Sequence, residues 1–332
     1  MTDLLKKYTV SDILNSYSSL DGNANYIYMA NVLALKCPLM QYLPLAASNQ
    51  VMSEITSKVT SMGSSSTRTF NEYVAPTANH RTPATEPITM VQDWSQIDAA
   101  LMNIQNDPGK WRSDEDSIKI ESITQKMEDL VLNGKLSTDP KGLDGILTRY
   151  NVSTTRPNGV STTRYNVQLA GGSGSDVTSI VILETGLNKV YGTYPKNSRA
   201  GLNIEDKGIV TSESSGSLMD VYRTKFEWYL GLVIRDDRYV QLIRNIEVTG
   251  SSNIFDPAQV SSALRRLPGG GQAPGTIMLV SPSVMDQMDQ MADDKFNVTY
   301  TPNEAFGGFV TRFKGVPVLM AEKLSETETA IS

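Results

Sequence analysis

From Tyr222 to Ile234 the chain alternates with a period of two. Tyr222, Phe226, Trp228, Leu230, Leu232 and Ile234 fall on one side, and Arg223, Lys225 and Glu227 begin the other. The pattern predicts one long strand with a single apolar face. Such a strand presents backbone donors and acceptors along both edges, so it needs partner strands and a layer to cover its aromatic face. Four charges, Arg235-Asp236-Asp237-Arg238, interrupt it before a second apolar run ends at Val248. Adjacent side chains in a strand point to opposite faces, so the two aspartates do not converge on one substrate. The knot reads as a bend carrying ion pairs along or between chains.

The clearest helix signal precedes this run. Ser113 with Asp114, Glu115 and Asp116 supplies an N-cap, a capping-box partner and acid for a first turn. Ile120, Ile123, Met127, Leu130 and Val131 form a stripe that Gly134 ends. The predicted rod, Asp114 to Asn133, is about 30 Å long. Residues Val51 to Gln92 are Thr/Val-rich, with Pro76, Pro83 and Pro87 in the middle. They predict a long hairpin made of "TSKVTSMGSSSTRTFNEYV" and "PITMVQDW". An isolated hairpin is marginal in water, so it must lie on something else. Before it, Thr9 and Asp12 have capping-box spacing. Asn23 then opens a stripe of Tyr26, Ile27, Ala30, Leu33 and Ala34, which Pro38 stops. This first stretch reads as an arm of short helices. Further on, Asp256-Pro257 starts a helix, "TIMLVSP" is a buried strand, Met285, Met288 and Met291 stripe another helix, and "FKGVPVLMA" is a last strand.

Much chemistry is excluded. The chain of 332 residues has one cysteine and one histidine, Cys37 and His80. No intrachain disulfide, thiolate cluster or His-based triad can be built from them. The Gly-rich loops "GGSGSD" and "LPGGGQAPG" lack the Lys-Ser/Thr pair of a phosphate loop. A net charge of −6 argues against a dedicated nucleic-acid reader. The first residues lack a signal peptide's apolar core, and no run reaches a membrane span, so a cytosolically made, soluble protein is expected. No catalytic, cofactor or metal site emerges. An arm, a hairpin and a capped rod bury little within one subunit and much between subunits, which points to assembly.

An ordered series of motifs carries a resemblance. A helix ending "LVLNG" is followed by "KGLDGILTRY", "GGSGSDVTSIVIL", "VYGTYPKNSRAGLNIEDKG", "DVYRTKFEWYLGLVIRDDRYVQLIRNIEV", "IMLVSPSVMDQM" and "FKGVPVLMAEKL". The series resembles the major capsid proteins of tailed bacteriophages, in a short-tailed-phage branch. The resemblance implies an α+β Hong Kong 97-type fold. Mapped here, it gives an N-terminal arm at 1–49, an E-loop hairpin at 50–93 and a P domain at 94–250 with its spine helix at 113–134. An A domain at 251–325 and a tail at 326–332 follow. The last long P-domain strand usually follows the A domain, whereas its best candidate here, Arg238 to Val248, precedes it. A permuted topology is expected on that ground.

The resemblance further implies a non-enzymatic subunit that assembles as hexamers and pentamers into an icosahedral head around double-stranded DNA. Its partners would be other copies of itself, a portal at one vertex, and cementing or scaffolding proteins. The particle would form in the host bacterial cytoplasm, with no membrane and no cofactor. Candidate inter-subunit contacts are Arg68, Glu72, Lys196, Arg199, Arg235, Asp236, Asp237 and Arg238. Some members of the fold cross-link an E-loop lysine, but no lysine lies between Lys58 and Lys110, so a non-covalent shell is expected. Three alternatives stay open: an encapsulin-like cargo shell, a β-rich virion binding protein, and an enzyme whose site is shared between chains.

Overall fold

The computed structural model describes residues 38–99, 108–151, 166–214, 217–293 and 312–331. The helices expected between Thr9 and Ala34, and Cys37, lie outside them. In chain order, α1 (Pro38–Tyr42) leads into β1 (Leu45–Ala47), β2 (Ser53–Ser61), β3 (His80–Pro87) and β4 (Thr89–Asp98). Helices α2 (Pro108–Asn133) and α3 (Ile146–Arg149) follow, then β5 (Val167–Leu169), β6 (Val177–Glu184) and β7 (Val190–Tyr194). The long strands β8 (Leu202–Ser214) and β9 (Ser217–Ile234) come next, and a short 3₁₀ turn at Asp237–Tyr239 leads to β10 (Val240–Glu247). The rest is α4 (Pro257–Arg266), β11 (Thr276–Val280), α5 (Pro282–Asp293), β12 (Arg312–Phe313) and β13 (Val316–Met320).

The chain forms two compact units. The first draws its described residues from 38–52, 88–145 and 192–232. Its sheet has the order β1-β7-β9-β4, with β8 also paired to β9. The expected alternation of β9 is observed from Thr224 to Leu230, where Phe226, Trp228 and Leu230 are buried and Lys225, Glu227 and Tyr229 half-buried; Tyr222 is only half-buried, and from Leu230 to Ile234 both faces are buried. Helix α2 packs beside β4 and buries Ile120, Ile123, Met127, Leu130 and Val131. The helix begins at Pro108, so Ser113 lies inside it and is no N-cap. Proline suits the first helical turn because its missing N–H is not needed there. The same preference suits Pro38 at the start of α1, and the helix it was expected to stop lies outside the described residues. Gly134 lets two backbone segments meet at the other end of α2, where a Cβ would sit 2.4 Å from the carbonyl oxygens of both Leu130 and Leu143.

The second unit draws on 53–87, 146–191 and 233–331. Its sheet runs β12-β13-β11-β6-β10-β5, and β2 pairs with β3 separately. Ile180, Ile182, Ile243, Ile246, Met278 and Val280 from the sheet meet Val260, Ala263 and Leu264 of α4 and Val284 and Met288 of α5. The methionine stripe is therefore core. Asp256 caps α4 through the Ala258 N–H at 2.8 Å, as its Asp-Pro start indicates.

Two strand assignments change. The partner of β2 is His80–Pro87, with Glu54 opposite Glu86, whereas "PITMVQDW" is β4 and pairs with β9. Thr/Val-rich segments are interchangeable as strand text, and only register distinguishes them. The strand that suggested a permuted order, Val240–Glu247, pairs with β6 and β5 in the second sheet and not with β9. Strands on both sides of residue 250 share that sheet, so the expected P/A boundary does not follow it.

Candidate assembly surfaces

The hairpin β2–β3 exposes large aromatics toward its tip and buries carboxylates at its root. Toward the tip, Phe70 is 97% and Tyr73 99% exposed, and Met62 and Val74 are exposed with them. Arg68 and Glu72 lie in the same tip. Glu72 accepts from the Thr69 N–H and Oγ1, both at 3.0 Å, and these bonds hold its carboxyl below the ordinary range. Arg68 is exposed.

At the root the character reverses. Glu54 and Glu86 are each 7% exposed. The Arg149 guanidinium donates to both Glu86 oxygens, at 2.8 and 2.6 Å. This two-point fit fixes direction as well as distance. The Tyr191 hydroxyl donates to Glu54 at 3.2 Å and accepts from Arg235 at 3.4 and 3.3 Å, with the guanidinium 5.4 Å above the Tyr191 ring. Burial raises the Tyr191 phenol, which keeps it a donor.

The charged knot is the bend after β9. Asp236 caps the 3₁₀ turn through the Arg238 N–H at 2.9 Å and takes the Arg238 guanidinium at 2.8 and 2.5 Å. Burial pushes its carboxyl up, but the bonds and charge of Arg238 outweigh this and leave it lowered. Asp237 accepts from Tyr150 at 2.9 Å and pairs with Lys58 of β2 at 3.4 Å. Burial, and then the charge of Asp237, hold the Tyr150 phenol well above its ordinary value of 10.0. All four knot residues thus have partners within the subunit.

Lys196 and Arg199 are exposed on the turn between β7 and β8. Arg199 lines an open polar cleft of about 700 Å³ with Asn203, Glu205, Asp206, Glu227 and Tyr229. The hydrogen bond from Lys225, with a second from Tyr229, lowers the Glu227 carboxyl.

Sequence reasoning missed the buried carboxylates, among them two whose carboxyls burial raises. Asp116, read as helix-capping acid, is 5% exposed on α2, and Thr224 of β9 donates to it at 3.4 Å. Arg112, one helical turn earlier, bonds Asp206 at 2.5 Å and Thr224 at 2.8 Å. Burial raises the Asp116 carboxyl against the pull of Arg112. The spacing of Arg112 and Asp116 was its only sequence signal. Glu328 pairs with Arg244 at 3.0 Å and accepts from Ser179 at 2.6 Å, and burial raises its carboxyl too. Asn245 holds the same C-terminal segment by exchanging two bonds with Ile331, at 2.7 and 2.9 Å.

Among the described residues no group of three or more His, Cys, Asp or Glu is placed to hold a metal ion, and no helix is long and apolar enough to cross a membrane. The Gly-rich loop after α4 is anchored by the buried Glu184, which accepts from the Gly269 N–H at 2.9 Å and pairs with Lys189 at 3.0 Å.

The fold is that of Hong Kong 97-type capsid-shell subunits. The structure of bacteriophage Epsilon15 superposes with a TM-score of 0.64 at 20% identity, over 87% of this chain and 88% of that one. The bacteriophage JBD30 capsid gives 0.51 at 9% identity, over 85% and 89%. The family model for major capsid protein GP7 matches residues 21–332, and the chain belongs to that family. It is a major capsid protein, and hence a component of the virion. A SrpI encapsulin from Synechococcus elongatus PCC 7942 is more distant, with a TM-score of 0.41 at 13% identity over 64% of this chain and 88% of that one. No curated protein sequence matches the chain.

Proposed function

We propose that the subunit assembles as hexamers and pentamers into the icosahedral head of a tailed phage, encloses double-stranded DNA, and performs no catalysis. The observation that carries this reading is the near-complete exposure of Phe70 and Tyr73 at the end of a hairpin. Exposed large aromatics grouped in this way mark a surface that is covered in use. Residues 38–52 then continue the N-terminal arm, β2–β3 is the E-loop, α2 the spine helix, and the sheet containing β6, β10 and β11 the A domain. Arg68, Glu72, Lys196 and Arg199 are the exposed candidates for pairs between subunits. Arg235, Asp236, Asp237 and Arg238 contribute there with whatever capacity their internal bonds leave. Each exposed pair is worth about 0–1 kcal/mol, so shell stability comes from many repeated contacts.

The shell is non-covalent. Lys58 is the one lysine in residues 50–93, and it is tied to Asp237 rather than carried at the tip. Clamping by arm and hairpin, or a cementing protein, takes the place of cross-links. A portal occupies one vertex, scaffolding aids assembly in the host cytoplasm, and the acidic chain lets DNA spool without adhering.

Electron microscopy of the expressed protein, alone and from infected-cell lysate, tests the reading. Closed shells or hexamer and pentamer rings containing DNA are expected from lysate. Monodisperse monomers or trimers from both sources overturn it, and an enzyme cargo inside closed shells moves the chain to the encapsulin-like alternative.

A further inference from the structure

Glu54 and Glu86 face each other across β2 and β3. Like charges in register destabilise a strand pair, and burying them adds a desolvation penalty. Their position is explained by what meets them. Arg149 grips Glu86 at two points, and Tyr191, itself held by Arg235, meets Glu54. Four residues along β2 from Glu54 the signs invert, with Lys58 on the hairpin and Asp237 opposite it at 3.4 Å. Two carboxylates and then an ammonium on the hairpin therefore meet the Arg149 guanidinium, the Tyr191 phenol backed by Arg235, and then the Asp237 carboxylate. A one-residue slip of either strand would turn its glutamate to the other face and break the match. A docking pattern coded in this way specifies one orientation.

We propose that Arg149, Tyr191, Arg235 and Asp237 form a socket that latches the hairpin root to its own subunit, fixing the direction of the tip before a neighbour is met. The use of the latch in assembly rests on the shell reading; the latch itself does not. The residues that act here are positioning residues, and their effect reaches assembly through the hairpin.

Two measurements test it. In the soluble subunit, hydrogen exchange at the root strands is compared with exchange at β11 and α5. Glu86→Gln and Lys58→Met are each expected to speed root exchange about tenfold or more while the core rates stay unchanged. Root exchange at the wild-type rate in both variants overturns the latch. Shell yield is then measured for Glu86→Arg, Arg149→Glu, the two combined in one chain, and the two single variants co-expressed. Each single reversal is expected to lower yield about tenfold or more, and the combined chain to return within about threefold of wild type. The co-expressed mixture is expected to remain low. Rescue by the mixture equal to that of the combined chain overturns the assignment to one subunit, because it places the pair between chains. If the wild-type protein forms no shells, the shell reading fails while the exchange comparison still decides the latch.

Discussion

Truncating Glu328 to alanine removes the carboxylate that meets Arg244 at 3.0 Å, in a pair whose side chains are each 8% exposed. It also removes the acceptor for Ser179. Breaking a buried pair from one side costs about 3–5 kcal/mol, because the remaining charge stays buried. Arg244 keeps its bond to the Leu147 carbonyl at 3.2 Å, which places the expected loss near the lower end, about 3 kcal/mol. Glu328→Gln behaves differently. Burial raises the carboxyl above its ordinary 4.5 even with Arg244 and Ser179 pulling down, so the folded state binds this proton more tightly than the unfolded state. The contribution of the group is then complete below 4.5 and declines as pH rises through the folded value. A neutral glutamine removes that decline; it leaves Arg244 without its counter-charge but keeps an amide oxygen that can accept from Ser179 and Arg244, so a loss of about 1–2 kcal/mol at neutral pH, smaller than that of alanine, is expected. Pulsed hydrogen exchange of β6 and β10 across a urea series, repeated between about pH 4.5 and 7, measures all three proteins. An alanine variant within about 1 kcal/mol of wild type would refute the reasoning. So would a local pH slope that is the same in wild type and Glu328→Gln.

Three further outcomes are expected. Gly134→Ala places a methyl 2.4 Å from two carbonyl oxygens, so the first unit loses about 2 kcal/mol or more, read from tryptophan fluorescence during urea unfolding. Asp116→Asn removes another carboxyl raised by burial, so the part of first-unit stability that falls with rising pH disappears, while neutral-pH stability moves by about 1 kcal/mol at most. Combined Phe70→Ser and Tyr73→Ser leaves the melting temperature of the soluble subunit unchanged and lowers shell yield in sedimentation. A lower melting temperature would show that the tip packs within its own subunit.

The legible parts of this fold are those where one periodicity had no competitor. The alternation of β9 survives through its middle because Phe226, Trp228 and Leu230 each need the same side of a sheet, and it is lost toward Ile234, where both faces are buried. The Asp256-Pro257 start of α4 was equally plain, since cap and proline agree locally. The start of α2 was lost because Ser113-Asp114-Glu115-Asp116 satisfies capping chemistry in sequence, while Asp116 is buried by tertiary contact. The partner of β2 was lost because "PITMVQDW" and His80–Pro87 are both plausible strands of the same length. The latter contains Pro83 and Pro87, which argue against a central strand, yet a two-stranded ribbon leaves both its edges open to proline. The socket could not be found from pattern at all. Arg149 lies 63 residues from Glu86, and Asp237 lies 179 from Lys58.

The hairpin distributes its residues in the reverse of the usual order, with carboxylates buried at the root and aromatics exposed at the tip. The two ends suit different tasks. Charge-assisted bonds at 2.6–2.8 Å weaken quickly with misalignment, so the Arg149–Glu86 pair sets an angle. Apolar burial is non-directional and scales with area, so Phe70 and Tyr73 can be covered by surfaces that differ in detail. On the proposed reading the subunit occupies both hexamers and pentamers and needs that combination, because one sequence must meet more than one neighbour geometry. Anchoring the root beforehand also reduces the ordering entropy lost when a neighbour binds, which leaves more of the burial at the tip to hold the shell together.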